Sequence, residues 1–273
     1  MNKSELITRS ITGFFIVAIT LGAILFSPWT YLLWLCLIVF AGTREYLQLE
    51  KIVLSPTQMF LFPAMLSIIV ACTGYFLIHK VTPFGILVSV PLVIGALFLI
   101  QLLFKNDVSQ LVKTNNAYYS ATSYIGLPAL CGCLFLSGVY DYRYLLVPIF
   151  LIWLNDVGAY MIGSKWGKHK IAPLLSPGKS IEGTIGGGII AVLTGALLLK
   201  IWPEIPPGYI ILLSFTTPFF ALAGDLWESA LKRNAGAKDS GRLLPGHGGM
   251  LDRYDSLLFV MPVAALAYYI FVL

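Results

Sequence analysis

Long apolar runs recur along the whole chain of 273 residues and restrict its fold more than any other feature. A helix needs about 20 predominantly apolar residues to cross the hydrocarbon core of a bilayer. Nine segments approach this length, so we predict an all-α, polytopic integral membrane protein with about nine transmembrane helices. The candidate spans lie near residues 9–27, 30–43, 58–78, 84–104, 120–139, 144–163, 184–202, 208–226 and 256–273.

The composition agrees with this class, because 58% of the residues are hydrophobic and only 11% are charged. Soluble domains carry about 25% charged residues. The chain therefore has no room for a separate soluble domain. We predict a single membrane domain over residues 1–273, with N-terminal helical spans over about 1–145. The helices and loops that carry the chemistry then occupy about 146–273.

The distribution of basic residues predicts the orientation. With nine spans, fifteen of the 18 Lys and Arg residues share the side of the N-terminus, and Lys80, Arg143 and Lys200 lie on the other side. Cytoplasmic loops of membrane proteins are enriched in Lys and Arg. We therefore place the N-terminus and the two most charged loops, at about 164–183 and 227–255, in the cytoplasm, and expect the chemistry there.

Acidic residues cluster at or beside the ends of apolar spans in the C-terminal half. They are Asp156, Asp225, Glu228, Asp252 and Asp255. Two of these pairs are three residues apart, which brings like charges to one helix face, where they repel. Because Mg²⁺ binds through a few carboxylates and phosphate oxygens, we predict that these acids hold Mg²⁺, alone or with a second cation. The alternative is that Lys232, Arg233 and Arg253 form salt bridges with them.

The loop at 227–255 combines basic side chains with a glycine-rich turn. Four basic residues precede the turn Pro245–Gly249 and one follows it: Lys232, Arg233, Lys238, Arg242 and Arg253. Glycines let the backbone approach a ligand and present its N–H groups. The combination suits a polyphosphate. His247, within the turn, is interpreted as a ligand contact or an ordering residue and is not assigned as a general base.

The loop at 164–183 is also cationic and contains Lys168, Lys170 and Lys179. These side chains could hold a lipid phosphate or nucleotide phosphates, and the alternative is a general attraction to anionic headgroups. Small residues then open the next span, where Gly183, Gly186, Gly187 and Gly188 predict close packing against another helix.

The segment Ser229–Asp255 resembles the signature of the CDP-diacylglycerol synthases, also called phosphatidate cytidylyltransferases. It contains Ser-x-Leu-Lys-Arg, Lys-Asp-x-Gly, Leu-Pro-Gly-His-Gly-Gly and Asp-Arg-x-Asp in succession. Residues 155–163 and 176–183 resemble two further blocks of the family. They depart from it at Val157, where Thr is usual, and over residues 178–181, where Lys-Lys-Thr-Trp is usual. The resemblance covers roughly residues 150–260, and its motifs are long and chemically mixed.

The resemblance implies a homodimeric enzyme of the inner (cytoplasmic) membrane that transfers a cytidylyl group from CTP to phosphatidic acid, giving CDP-diacylglycerol and pyrophosphate for phospholipid biosynthesis. Membrane lipids surround it, and no nucleic acid is expected as a partner. The catalytic residues would be Asp225, Asp252, Asp255, Lys232 and Arg233. The metal ligands would be Asp225, Asp252 and Asp255, with Asp156 and Glu228. The substrate-binding residues would be Lys168, Ser176, Lys179, Glu182, Lys238, Asp239, Arg242, His247, Gly248, Gly249 and Arg253.

Two other functions are compatible with charged groups in such a membrane setting. A CTP-dependent lipid kinase would use the same nucleotide but transfer its γ-phosphate. An ion-coupled transporter would place acids near the midplane and show inverted repeats. In this sequence the acids cluster at one predicted interface, and no repeat is evident.

Overall fold

The computed structural model of the chain describes residues 3–80 and 107–273. Its helices are α1 (Lys3–Phe26), α2 (Pro28–Leu49), α3 (Pro56–Ile78), α4 (Val108–Ala121), α5 (Leu127–Gly132), α6 (Tyr142–Trp166), α7 (Ile181–Ile201), α8 (Pro207–Asn234) and α9 (Leu251–Phe271). Two short antiparallel strands, β1 (Lys170–Ala172) and β2 (Ser176–Ser180), form a hairpin between α6 and α7. The chain is an all-α, polytopic membrane protein, as its apolar runs predict.

Eight of the nine predicted spans fall in the described residues. In that part of the chain, seven helical segments are long and apolar enough to cross a membrane, and the apolar part of α1, Ser10–Phe26, is shorter. The first predicted span therefore corresponds to a shorter apolar helix, and the other seven correspond to the long ones. The candidate span at 84–104 lies outside the described residues.

The second candidate span was predicted too short. It was bounded at residue 43 because charged residues follow, whereas α2 continues to Leu49. The charged side chains are accommodated within the helix. Arg44 lies over the ring of Phe40, 5.9 Å from its centroid, and Glu45 is buried and hydrogen bonded. A helix can extend through ionisable residues when the fold supplies partners for them.

The candidate span at 120–139 begins earlier than predicted and is irregular. The helical segment runs from Val108 to Leu136. Between α4 and α5 it contains a π-helical turn, Thr122–Gly126, and after α5 a 3-10 turn, Cys133–Leu136. Pro128 follows the π-helical turn and has no N–H to donate, which interrupts the regular hydrogen-bond ladder.

The described chain divides into two compact units. Of the described residues, unit 1 comprises 3–80, 107–140 and 237–253, and unit 2 comprises 141–236 and 254–273. In unit 1, the hydroxyl of the buried Tyr31 donates a hydrogen bond to the carbonyl of Gly132 at 3.0 Å. The rings of Phe62 and Tyr118 stack with centroids 4.0 Å apart.

In unit 2, α6 and α7 pack closely through small residues. A Cβ added at Gly183 would lie 2.9 Å from the carbonyl oxygen of Ala159, and one at Gly187 would lie 2.7 Å from that of Asn155. Any larger side chain would push the helices apart. The close packing predicted from these glycines is therefore confirmed, and it places the hairpin directly beside the ends of both helices.

Candidate functional site

The glycine-rich turn of unit 1 is built by its own backbone. The N–H of His247 donates to the carbonyl of Leu244, and the N–H of Leu244 donates to the carbonyl of Gly248, both at 2.9 Å. Gly246 and Gly248 have φ angles of +74° and +83°, a region that side-chain-bearing residues rarely adopt. The turn therefore depends on glycine at these positions.

Around this turn, unit 1 forms a cavity of about 540 Å³ that is rich in cationic side chains. Six of the predicted substrate-binding residues line it: Lys238, Asp239, Arg242, His247, Gly248 and Arg253. Gly249 is instead buried, and a Cβ there would collide with Ser240. The sequence thus identified most of one polar cavity, and its cations and nearby backbone N–H groups suit an anionic ligand.

Asp252 lies at the start of α9 and stabilises the turn through hydrogen bonds to its side chain. Its Oδ2 accepts hydrogen bonds from the N–H of Ser240 and the N–H of Gly249, both at 2.8 Å, and lies 2.9 Å from the Ser240 hydroxyl. Each hydrogen bond to a charged group contributes about 1.5–3 kcal/mol. Asp252 therefore has a structural task in unit 1, whatever further task it has in chemistry.

Glu45 of α2 was missed by the sequence analysis, although it contacts the same segment. Its side chain is 6% exposed, and it accepts hydrogen bonds from Met250 N–H at 2.8 Å and from Leu251 N–H at 2.9 Å. An acid only three residues beyond an apolar run that ends at Gly42 is the signal that could have found it. The early end predicted for the second span assigned Glu45 to a loop instead.

Unit 2 contains a second cavity, of about 430 Å³, between the hairpin and the helices around it. Its polar lining includes four predicted site residues: Asp156, Ser176, Lys179 and Asp225. The ammonium of Lys179, on β2, forms a salt bridge with the carboxylate of Asp225, on α8. The hairpin therefore supplies a cation to an acid located on a transmembrane helix.

Two further acids belong to this charged region of unit 2. The backbone of Asp255 packs against Gly224, the neighbour of Asp225 in the chain, and Asp156 and Asp225 line the same cavity. The Asp156 side chain accepts a hydrogen bond from the Asn155 amide at 3.2 Å, and Asp255 accepts one from Ser256 N–H at 2.7 Å. The three aspartates therefore lie in the same region of unit 2, where Lys179 pairs with one of them.

Glu228 forms one of the salt bridges that were the alternative to metal binding, whereas Arg233 contacts a backbone carbonyl. Lys232 donates to Glu228 across one helical turn at 2.6 Å, and the Glu228 side chain is 1% exposed. The Nε of Arg233 donates to the carbonyl of Leu175 in the hairpin at 3.4 Å. Within the described contacts, the side chains of Lys232 and Arg233 thus bond to other residues of their own unit.

Glu182 stabilises the base of the hairpin. Its carboxylate accepts hydrogen bonds from the backbone N–H groups of Lys168 and His169, each at 3.2 Å, and lies 2.6 Å from Nδ1 of His169. Ser180 caps α7 by accepting from the N–H of Gly183. Two predicted substrate-binding residues, Lys168 and Glu182, are therefore joined to each other here, and this contact orders the segment that carries Lys179.

Whether Mg²⁺ fits the acids of unit 2 depends on the number and type of ligand atoms that they offer. Among residues 3–80 and 107–273, no three His, Cys, Asp or Glu side chains form a group that could hold a metal ion. Asp156, Asp225 and Asp255 nevertheless supply the carboxylate oxygens that Mg²⁺ prefers, and the Lys179 ammonium shows that a cation is accommodated against Asp225. The metal site stays a prediction, compatible with the donors of unit 2.

The fold and the site together define the class: a polytopic membrane protein whose described residues form a cavity lined by cationic side chains and a cavity where carboxylates meet a lysine. The model of the Cytidylyltransferase family matches residues 7–271. Since this match extends over nearly the whole sequence, the chain belongs to the Cytidylyltransferase family.

Individual relatives carry a more specific name. A phosphatidate cytidylyltransferase of Staphylococcus epidermidis is 44% identical over 123 residues, which cover 44% of this chain and 47% of the relative. That of Bacillus subtilis is 47% identical over 125 residues, covering 45% and 46%. That of Staphylococcus aureus strain COL is 46% identical over 123 residues, covering 44% and 47%. The matched part spans about half the length of these relatives.

Proposed function

We propose that this chain transfers the cytidylyl group of CTP to phosphatidic acid, forming CDP-diacylglycerol and pyrophosphate. The observation that carries the proposal is the cavity of unit 1, where Lys238, Arg242 and Arg253 lie around a turn held open by glycine. Such a site suits a triphosphate. Membership of the Cytidylyltransferase family and the names of the relatives support the choice of nucleotide and lipid.

In the proposed reaction, a phosphate oxygen of phosphatidic acid attacks the α-phosphorus of CTP. A new P–O bond forms, the bond from the α-phosphorus to the bridging oxygen breaks, and pyrophosphate leaves with that electron pair. The lipid phosphate is already anionic near neutral pH, so the step needs little base catalysis. Such transfer relies on positioning and on neutralising charge. We assign Lys238 and Arg242 to the triphosphate and Lys179 to the lipid phosphate.

We propose Asp225 and Asp255, with Asp156, as the residues that would hold Mg²⁺. A bound Mg²⁺ would disperse the negative charge that develops on the phosphate oxygens. Lys179 would leave Asp225 for the lipid phosphate, which exchanges one ion pair for another. Asp252 and Glu228 accept hydrogen bonds from the turn and from Lys232, so their metal role rests on the sequence pattern.

We further propose that the protein is a homodimer of the inner membrane, with its N-terminus and the two charged loops, at about 164–183 and 227–255, on the cytoplasmic side. The excess of Lys and Arg on that predicted side supports the orientation. CTP would reach the cavities from water, while the acyl chains of phosphatidic acid stay in the bilayer.

Product analysis tests the proposed function. Purified protein in detergent is given phosphatidic acid, Mg²⁺ and CTP labelled either in the base or at the γ-phosphate. We expect base label in the lipid product and γ-label in pyrophosphate. Transfer of γ-label to lipid would instead identify a CTP-dependent lipid kinase. Absence of any labelled lipid from a folded preparation would reject the proposed transfer and leave ion transport to be measured in vesicles.

A further inference from the structure

A charged side chain buried near the end of an apolar helix is costly unless it is hydrogen bonded. Glu45 in α2 is such a residue. Its Oε1 accepts from Met250 N–H, and its Oε2 accepts from Leu251 N–H and lies 3.0 Å from the Ser240 hydroxyl. All three partners belong to the segment 237–253, which contains the glycine-rich turn and Asp252. We call this segment the signature turn.

The two backbone bonds cap α9 from a distant part of the chain. The first N–H groups of a helix have no acceptor within the helix, and the positive end of its dipole favours a negative charge. Glu45 meets both needs for α9, and 205 residues separate it from Met250 in sequence. The helix that begins here carries Asp252 in its first turn, so the position of that turn affects this acid.

Ser240 links Glu45 to Asp252. Its hydroxyl lies 3.0 Å from Oε2 of Glu45 and 2.9 Å from Oδ2 of Asp252. A hydroxyl has one hydrogen, so it donates to only one of these carboxylates at a time, while its oxygen lies 3.3 Å from the donating Asp252 N–H. The two acids thus share a single small network around one serine.

Glycines bring the backbone of the signature turn close to Glu45. A Cβ at Gly241 would lie 2.7 Å from Oε1 of Glu45, and a Cβ at Gly249 would collide with its other oxygen. The glycines therefore allow the turn to close onto the carboxylate. This close fit means that a change in the acid is transmitted directly to the backbone of the turn.

We propose that Glu45 is a positioning residue for cytidylyl transfer, which fixes the signature turn and the start of α9 so that Asp252 and the cationic cavity keep their places. The proposal rests on the proposed function for its activity readout. Glu45 touches no substrate in this role. It acts through the N–H groups of Met250 and Leu251 and through Ser240.

The test is Glu45→Gln, which keeps the shape of the side chain but replaces one acceptor oxygen with a donor. At least one of the Met250 and Leu251 N–H groups then faces an NH₂ group. We expect kcat/KM for CTP and phosphatidic acid to fall roughly 10²-fold, as when reacting groups are displaced by about 1 Å. In hydrogen-exchange mass spectrometry, peptides containing Met250 and Leu251 should exchange faster than in the unsubstituted protein.

The matched control is Glu50→Gln. Glu50 follows the end of α2 and accepts a hydrogen bond from the side chain of Tyr46 in its own helix. We expect its kcat/KM to stay within about twofold, as for substitutions away from such networks. The milder variant Ser240→Ala keeps both backbone bonds to Glu45 and should lower kcat/KM by roughly tenfold, the loss of one hydrogen bond to a charged group.

The outcomes separate positioning from mere stabilisation. If Glu45→Gln lowers the thermal midpoint but the folded protein keeps its kcat/KM and its exchange pattern, the proposal is wrong. Should Glu45→Gln fail to fold, Ser240→Ala decides: lost activity at an unchanged midpoint supports the proposal, and unchanged activity overturns it. An unsubstituted protein that makes no CDP-diacylglycerol contradicts the proposed function instead, while the exchange of the 250–251 region still tests the role of Glu45.

Discussion

Asp252 in unit 1 and Asp225 in unit 2 are both predicted catalytic residues, but they have different kinds of partner. Asp252 accepts hydrogen bonds from backbone N–H groups at 2.8 Å, whereas Asp225 is paired with the side chain of Lys179. Backbone donors cannot leave without unfolding the turn. A lysine side chain can rotate away. The cavity of unit 1 is therefore a preformed scaffold, and that of unit 2 contains an ion pair that a charged ligand can open.

The largest effect that we expect from this comparison is on the proposed cytidylyl transfer, through Asp225 in unit 2. Asp225→Asn keeps the shape of the side chain and removes the charge that attracts a cation. We expect kcat/KM to fall on the order of 10³-fold, with a thermal midpoint near that of the unsubstituted protein. Steady-state assays across Mg²⁺ concentrations measure this. The control is Glu204→Gln, an exposed acid paired with Arg143, whose activity should stay within about twofold. Near-normal turnover in Asp225→Asn would show that the charge is not needed.

The next largest effect is a difference in stability between the alanine variants of the two aspartates. Asp252→Ala leaves the N–H groups of Ser240 and Gly249 without their acceptor, and we expect the free energy of unfolding to fall by about 2 kcal/mol. Asp225→Ala breaks a partly exposed ion pair, which contributes about 0–1 kcal/mol. Thermal unfolding of both variants in the same detergent compares them. Equal losses, or a larger loss in Asp225→Ala, would contradict the distinction between scaffold and ion pair.

The smallest effect concerns Lys179. Lys179→Met removes the ammonium but keeps most of the side-chain length, and we expect KM for phosphatidic acid to rise roughly tenfold, as for one lost charge-assisted hydrogen bond. Lys165→Met is the matched control, since Lys165 is an exposed cation in the last turn of α6. Kinetics with phosphatidic acid varied in mixed micelles give both values. A similar rise in both variants would indicate general attraction to anionic lipid.

Much of the site was open to prediction because its residues are close in sequence. The turn Pro245–Gly249 and the cations on either side of it form one cavity, since residues only a few positions apart in the chain stay close in space. The glycines at the start of α7 likewise identified a close helix contact. The role of Lys232 was harder to predict from the sequence, because a cation four residues after Glu228 suits a salt bridge and a phosphate contact equally well.

The amino-acid sequence by itself determined the membrane fold, the approximate spans and the two charged loops. Hydropathy and loop charge are properties of short segments, and they decide which segments enter the bilayer. Only the tertiary structure decided which polar groups meet. Glu45 caps a helix that begins about 200 residues later, and Lys179 pairs with Asp225 from a strand that no apolar pattern indicates. Hydrogen bonds and ion pairs choose partners by distance in space, and helix packing sets that distance.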